Sequence, residues 1–223
     1  GRFGIDGPLH LACASGSEED SGTVAYLEDC ARQAGLQTVL MEIEDIGIDP
    51  AGRFTDTEDH VIDTVFKLYP WEWLLAEEFA RHIPESATLF IEPVWKSILS
   101  NKGLLALMWE MFEGPPNLLP TFFVDDPKAS SLGDTYVRKP LYSREGQNIE
   151  LVRDGQAETI HPGDYGAEGH IVQAFHALPD FTGNYPMAGC WLVASAAAGM
   201  CIREDRSLVT GDDARFIPHV ILD

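Results

Sequence analysis

Apolar and polar positions along this chain follow two periods, and the change between them falls near Pro116. In the first half, Pro8–Ala14 (PLHLACA) is a short continuous apolar run ending in SGSEED, the pattern of a buried strand entering a loop. Glu18–Ala34 then has helical spacing, with Val24, Leu27, Cys30, Ala31 and Ala34 on one face. Acids fill its first turn, where the helix dipole favours them, and Gly35 stops it. Gln37–Ile43 (QTVLMEI) predicts a second strand, and strand–helix–strand in this order predicts a parallel α/β unit. Asp45–Asp59, polar and carrying Gly47, Pro50 and Gly52, reads as a connecting loop. A strand is predicted over Val61–Leu68. A helix is predicted from Pro70 to before Pro84, with Trp71, Leu74, Leu75 and Phe79 on its apolar face and Trp73 in the core. Thr88–Ile91 reads as another buried strand. Val94–Phe112 reads as a helix interrupted near Ser100–Gly103, with Leu104, Leu107, Met108 and Met111 continuing an apolar stripe.

After Gly114-Pro115-Pro116 the segments shorten and alternate. Leu118–Val124 is a small apolar segment. Asp134–Lys139 and Gln147–Leu151 form a predicted hairpin around a polar turn holding Glu145 and Gly146. Short strands are predicted at Ile149–Val152, Glu158–Ile160 and His170–Leu178. Tyr185–Ala196 and Gly199–Ile202 form a further hairpin, and Phe216–Leu222 a closing strand. The expected architecture is α/β: a parallel α/β subdomain over residues 1–116, then a mainly antiparallel β (α+β) subdomain over residues 117–223.

Charge alters this picture most in the second half. The chain has 36 acids against 15 bases, a net charge of −21. Such a surface repels nucleic acid and anionic lipid, so neither is an expected partner. It fits solubility or a high-salt habitat first, and a polycationic substrate such as a polyamine second. Any anionic ligand must be held by locally concentrated cations. No apolar run reaches the roughly 20 residues that span a bilayer. The four cysteines are widely spread, without C-x-x-C or His–Cys metal spacing, and each is expected to behave as a small hydrophobe in a cytosolic protein. The sequence shows no secretory leader, and its start at Gly1 without methionine suggests processing or a longer parent.

Against that field, Arg138, Lys139 and Arg144 lie within seven residues on and beside the hairpin Tyr136–Glu150. A hairpin with a flexible tip and a lysine on its first strand can close over a polyanion; an exposed hairpin with solubilising bases is the alternative. Lys102 sits at the helix break, where Ser100 or Asn101 can cap the second segment. There it is either an anion ligand or a solvated lysine. The run His170–Leu178 reads most simply as a core strand; alternatively, Gln173 or His176 on it could face the edge of a base. Arg203 follows an apolar strand, entering a site or pairing with Glu204 or Asp205. The turn SGSEEDSG lacks G-x-x-x-x-G-K-[ST] and carries three acids, so it is a poor phosphate loop. G-x-S-x-G, H-E-x-x-H and G-x-G-x-x-G are absent from the sequence, which leaves hydrolase and metalloprotease readings without an anchor.

The blocks HLACASGSEEDSGTVAYLEDCARQAG, LFIEPVWKSILSNKGLLALMWEMF, YVRKPLYSREGQNIEL, EGHIVQAFHALP, GNYPMAGCW and GMCIREDRSLVTG, in this order, resemble the synthetase domain of the glutathionylspermidine synthase family. That family is a branch of the ATP-grasp carboxylate–amine ligases, and the chain is most similar to members without an amidase domain. The resemblance implies an ATP-grasp-like fold, with ATP and Mg²⁺ as cofactors. It implies a peptide carboxylate, glutathione-like, and an amine such as a polyamine as substrates, joined through an acyl phosphate. Position by position, Lys102 and Lys139 match lysines that hold ATP phosphates. Glu145 and Gly146 match a lid turn, and Arg144 stands beside it as a partner for phosphate or acyl-phosphate oxygens. Gln173, Ala174, Phe175 and His176 match the hinge strand that meets adenine, Leu208 matches an adenine-pocket position, and Arg203 matches an arginine that binds the acid.

Two departures shape the expectation. The family's Mg²⁺ ligands and an arginine for the acyl phosphate come from a segment upstream of these blocks. Here Gly1-Arg2-Phe3 resembles the start of that motif, but Gly4 stands where the family has an Asp. The metal ligands are therefore expected outside this chain, and the isolated chain is expected to be inactive. Met187 stands where the synthase has a polar residue toward the nucleotide. A non-catalytic nucleotide- or peptide-binding module of the same fold is the alternative.

Overall fold

The first apolar run becomes β1 (Leu9–Cys13), buried at every position in a computed structural model that describes residues 7–112 and 114–221. The chain divides into two units, Gly1–Ile98 and Leu99–Asp223. In the first, α1 (Glu18–Gln33) follows β1, capped by the Ser17 hydroxyl, which accepts the Asp20 N–H at 3.1 Å. β2 (Thr38–Glu42) lies parallel to β1. The short strands β3 (Gly47–Ile48) and β4 (Phe54–Thr55) pair with each other. β5 (Thr64–Leu68) and, after the helix α2 (Trp71–Leu74), β6 (Leu89–Ile91) complete a four-stranded parallel sheet in the order β2-β1-β5-β6. Leu9, Leu11 and Cys13 pack with Val24 on one side of β1, while Ala12 packs with Phe54, Ile62 and Val65 on the other. Cover on both faces is why β1 reads as a continuous apolar run rather than an alternating one. Leu11, 1% exposed, is the residue whose truncation should cost this unit most. Leu11→Ala is expected to lower stability by about 3 kcal/mol in urea unfolding. A loss under about 1 kcal/mol, the scale of a surface change, would place Leu11 outside the core.

Several expectations give way here. The segment predicted as a loop over Asp45–Asp59 carries the β3–β4 pair and buries Phe54, Thr55 and Asp56. Its turns are made by carboxylates: Asp49 accepts the N–H groups of Ala51 and Arg53, and Asp56 those of Glu58 and His60, each at 2.9 Å. The predicted helix over Pro70–Pro84 is one turn, α2, followed by a 3₁₀ segment at Glu78–His82. Trp71 alone is buried from the expected face, with its indole N–H on the Glu92 carbonyl at 3.1 Å and the Lys67 ammonium over its ring. Glu77 takes an extended backbone and accepts the Tyr69 hydroxyl, which ends the helix. Trp73, expected in the core, is 44% exposed and meets Tyr69 edge-on. Leu89, on the edge strand β6, is exposed rather than buried. Of the cysteines, Cys13 is buried as expected, whereas Cys30 and Cys190 are exposed; all four are free thiols.

The predicted interrupted helix is a 3₁₀ turn, then α3 (Ser97–Ser100), a break at Asn101-Lys102, and α4 (Gly103–Met111). The Asn101 side-chain oxygen accepts the Gly103 N–H at 2.8 Å. α4 buries Gly103 and Ala106, not the expected stripe: Leu107, Met108 and Met111 are exposed. A Cβ at Gly103 would lie 3.1 Å from Phe123 and 3.3 Å from Leu141, so the small residue permits the close approach. The strands β7 (Thr121–Phe123), β8 (Tyr136–Pro140), β9 (Glu150–Arg153), β10 (Gln156–Thr159) and β11 (His170–Ala174) form an antiparallel sheet in the order β10-β9-β8-β11-β7. β12 (Tyr185–Val193), β13 (Ala196–Asp205) and β14 (Arg215–Ile217) form a second, three-stranded one. β14 is shorter than the strand predicted to Leu222. Pro218, which has no N–H, follows it, and Leu222 lies outside the described residues. Among the described residues no helix is long and apolar enough to cross a membrane.

Candidate functional site

Alternation along β8 separates Arg138 from Lys139. Arg138 lies directly opposite Glu150 on β9 and pairs with it at 3.2 Å. Lys139 points to the other face, into a cavity of about 270 Å³. Of the expected site residues, Lys139, Gly146, Gln173, Ala174, Phe175, His176 and Leu208 all line this one cavity. The remaining wall is apolar apart from Thr210 and was not singled out in the sequence, except Met187: Leu119, Val137, Ile149, Leu151 and Leu178, with Val209 and Thr210. None of the described lining residues is acidic, in a chain with 36 acids.

Lys139 donates to Gln173 Oε1 at 2.7 Å, and burial pushes its pKa below the ordinary lysine value. Its partner is a neutral amide, so the ammonium is satisfied in part and its charge is not cancelled. An anion entering the cavity would meet a desolvated cation against apolar walls, the condition under which a charged contact is strongest.

The turn beyond β8 closes one side. Gln147 N–H bonds to the Arg144 carbonyl at 2.9 Å, with Glu145 at φ 53° and Gly146 at φ 72°, the pattern of a type I′ turn. A Cβ at Gly146 would lie 2.7 Å from Val209 Cγ1 and 2.8 Å from the Thr210 carbonyl, so the turn rests directly on the Leu208–Thr210 loop. That loop is shaped by Asp205, whose carboxylate accepts the Ser207 and Gly211 N–H groups at 2.9 Å. Burial raises the Asp205 pKa, but these amides outweigh it and hold it below the usual carboxylate value. His161 Nε2 reaches the Val209 carbonyl at 2.9 Å and fixes the same loop from β10's side.

The other expected residues lie outside the lining. Lys102 anchors the base of the turn: its N–H bonds to the Leu141 carbonyl at 2.8 Å, and its ammonium to the Ser143 carbonyl and hydroxyl at 2.8 and 3.0 Å. Arg144 and Glu145 are exposed on the turn. Arg203 lies in β13, half-buried, opposite Met187 on β12. It donates to the Gly211 carbonyl at 2.8 Å rather than pairing with Glu204 or Asp205. Among the described residues no group of three or more His, Cys, Asp or Glu side chains could hold a metal ion.

The family profile described as glutathionylspermidine synthase preATP-grasp matches residues 3–222. The chain belongs to the glutathionylspermidine synthase family. Within it, the chain is 43% identical over 221 residues to a Haemophilus influenzae protein named "Putative acid--amine ligase", covering 95% of this chain and 56% of that protein. It is 27% identical over 231 residues to the bifunctional glutathionylspermidine synthetase/amidase of Escherichia coli, covering 92% of this chain and 37% of that protein. The chain thus spans about half, or less, of these relatives' length. In structure it resembles the D-cycloserine synthetase DcsG, with TM-score 0.59 at 16% identity, covering 94% of this chain and 71% of that one. At that identity the likeness establishes a shared fold, and the ATP-grasp-like α/β architecture expected from the sequence is the one found.

Proposed function

We propose that this chain is the C-terminal ATP-binding part of an ATP-dependent carboxylate–amine ligase that forms an amide through an acyl phosphate. The observation that carries the reading is the cavity: a half-buried lysine with a neutral partner, set among mainly apolar walls with no described acid, in a chain of net charge −21. In this reading the apolar wall takes the adenine against Ala174–His176 and Leu208, and Lys139 takes the phosphates. Lys102 is the second phosphate lysine, acting from the base of the turn, and Glu145-Gly146 form the turn that covers them. Arg144 faces phosphate or acyl-phosphate oxygens, and Arg203 the acid's carboxylate. Lysines and guanidinium forks suit these oxygens, and phosphoryl transfer needs chiefly positioning and charge neutralisation.

Among the described residues no cluster of His, Cys, Asp or Glu suits Mg²⁺, so in this reading the metal is held outside the described residues. The acid is a small peptide of the glutathione kind and the amine a polyamine, in keeping with the Escherichia coli relative's name and with the acidic surface. The test is ADP release by the full-length gene product with ATP–Mg²⁺, glutathione-like acids and polyamines. The expected result is release that requires an acid and an amine together. ATP binding without such stimulation would favour a non-catalytic nucleotide-binding module, and no ATP binding would sink both.

A further inference from the structure

Lys139, Gln173 and Thr121 form a chain of hydrogen bonds whose direction is forced. The Thr121 hydroxyl has one hydrogen, and it goes to the Leu119 carbonyl at 2.7 Å, a group that can only accept. Its oxygen must therefore accept from Gln173, which presents Nε2 at 2.8 Å. The amide oxygen is then turned to Lys139 at 2.7 Å. Register sets the rest: Gln173 on β11 lies opposite Thr121 on β7 and Val137 on β8, and Lys139 is two residues along the same face. Thr121 is 0% exposed and Gln173 7%, so solvent does not compete for the bond between them.

Within the nucleotide reading above, on which this inference rests, we propose that Thr121 and Gln173 are positioning residues that hold Lys139 for phosphate by a neutral contact. A glutamate at position 173 would satisfy the ammonium more fully, but it would cancel the charge that an anion needs. An amide turned the other way would set N–H groups against the ammonium. Thr121 excludes that orientation from a backbone carbonyl outward. The side chain of Gln173 thus acts on the phosphate end of the cavity, leaving contact with the base to the strand's end.

Two readouts in the full-length protein test this: ATP–Mg²⁺ affinity against pH, and the lysine ¹³Cε/¹⁵Nζ titration of Lys139 in the nucleotide-free state, assigned by loss of its signal in Lys139→Arg. Thr121→Val removes the acceptor behind Gln173. It is expected to weaken ATP about tenfold, the loss of one charge-assisted contact. It should also move the Lys139 titration to lower pH, because an acceptor favours the charged form. Thr121→Ser should restore both. Gln173→Glu, nearly isosteric, should move the titration to higher pH yet still weaken ATP. Thr121→Val with wild-type titration and wild-type affinity overturns the proposal, as does Gln173→Glu with undiminished affinity. Should wild type bind no nucleotide while the titrations shift as stated, the nucleotide reading fails and the relay to Lys139 stands.

Discussion

Lys139→Met in the full-length protein should weaken ATP–Mg²⁺ binding by one to two orders of magnitude, the scale of a lost hydrogen bond from a charged group, about 1.5–3 kcal/mol. Calorimetry reads the affinity directly, and binding as tight as wild type would remove Lys139 from the site. The same variant tests the electrostatics without ligand. Burial holds the Lys139 pKa below its ordinary value, so the unfolded chain binds this proton more tightly than the folded one. Between the folded-state pKa and the ordinary lysine value, the unfolded state carries more protons, and stability rises with pH across that window. Below the window, the charged, partly desolvated lysine costs the folded state a constant amount. The stability difference between wild type and Lys139→Met should therefore shift in the wild type's favour as pH climbs toward the ordinary lysine value. A difference that is flat, or that moves the other way, would mean that the ammonium is well solvated in the folded state. Together the two measurements describe a cation kept at a cost to the fold and in the service of a ligand.

That cation was legible in the sequence because it opposes its surroundings. Three bases within seven residues stand out in a chain of net charge −21, and alternation along a strand can be read without coordinates. The parallel unit was legible for a similar reason: β1 is buried on both faces, and α1 carries its start and stop signals locally. What escaped depends on contacts between distant residues. Thr121 looks like an ordinary strand threonine until the register of β7 against β11 sets it opposite Gln173, 52 residues away. Asp205 reads as one acid among many until its carboxylate closes the loop that carries Leu208–Thr210 over the cavity. The predicted helix after Pro70 failed by the same route, because Trp71 and Glu77 are claimed by Glu92, Lys67 and Tyr69 rather than by a helical face. Local pattern finds elements and unusual charges; the polar partners that orient a site are set by register.

Gly146→Ala should cost far more function than its size suggests, and Gly155→Ala shows why. Both glycines follow a residue at positive φ in a hairpin turn, Gly146 at φ 72° and Gly155 at φ 75°. An added Cβ therefore strains the backbone by a similar amount at each, on the order of 1–2 kcal/mol. They differ in what that Cβ meets. At Gly155 nothing lies within 4 Å, whereas at Gly146 it would sit 2.7 Å from Val209 Cγ1 and 2.8 Å from the Thr210 carbonyl. A backbone oxygen cannot step aside as a side-chain end can, so the Arg144–Gln147 turn must lift off the loop that walls the cavity. Gly155→Ala is expected to lower the melting temperature slightly and leave ATP affinity as it was. Gly146→Ala is expected to lower stability further and weaken ATP at least tenfold, a tenfold change in affinity being about 1.4 kcal/mol. Equal ATP affinity in the two variants would show that the turn's seat on Val209 and Thr210 has no part in binding. A loss confined to Gly146 would separate contact from strain and make this turn the cover of the phosphate end.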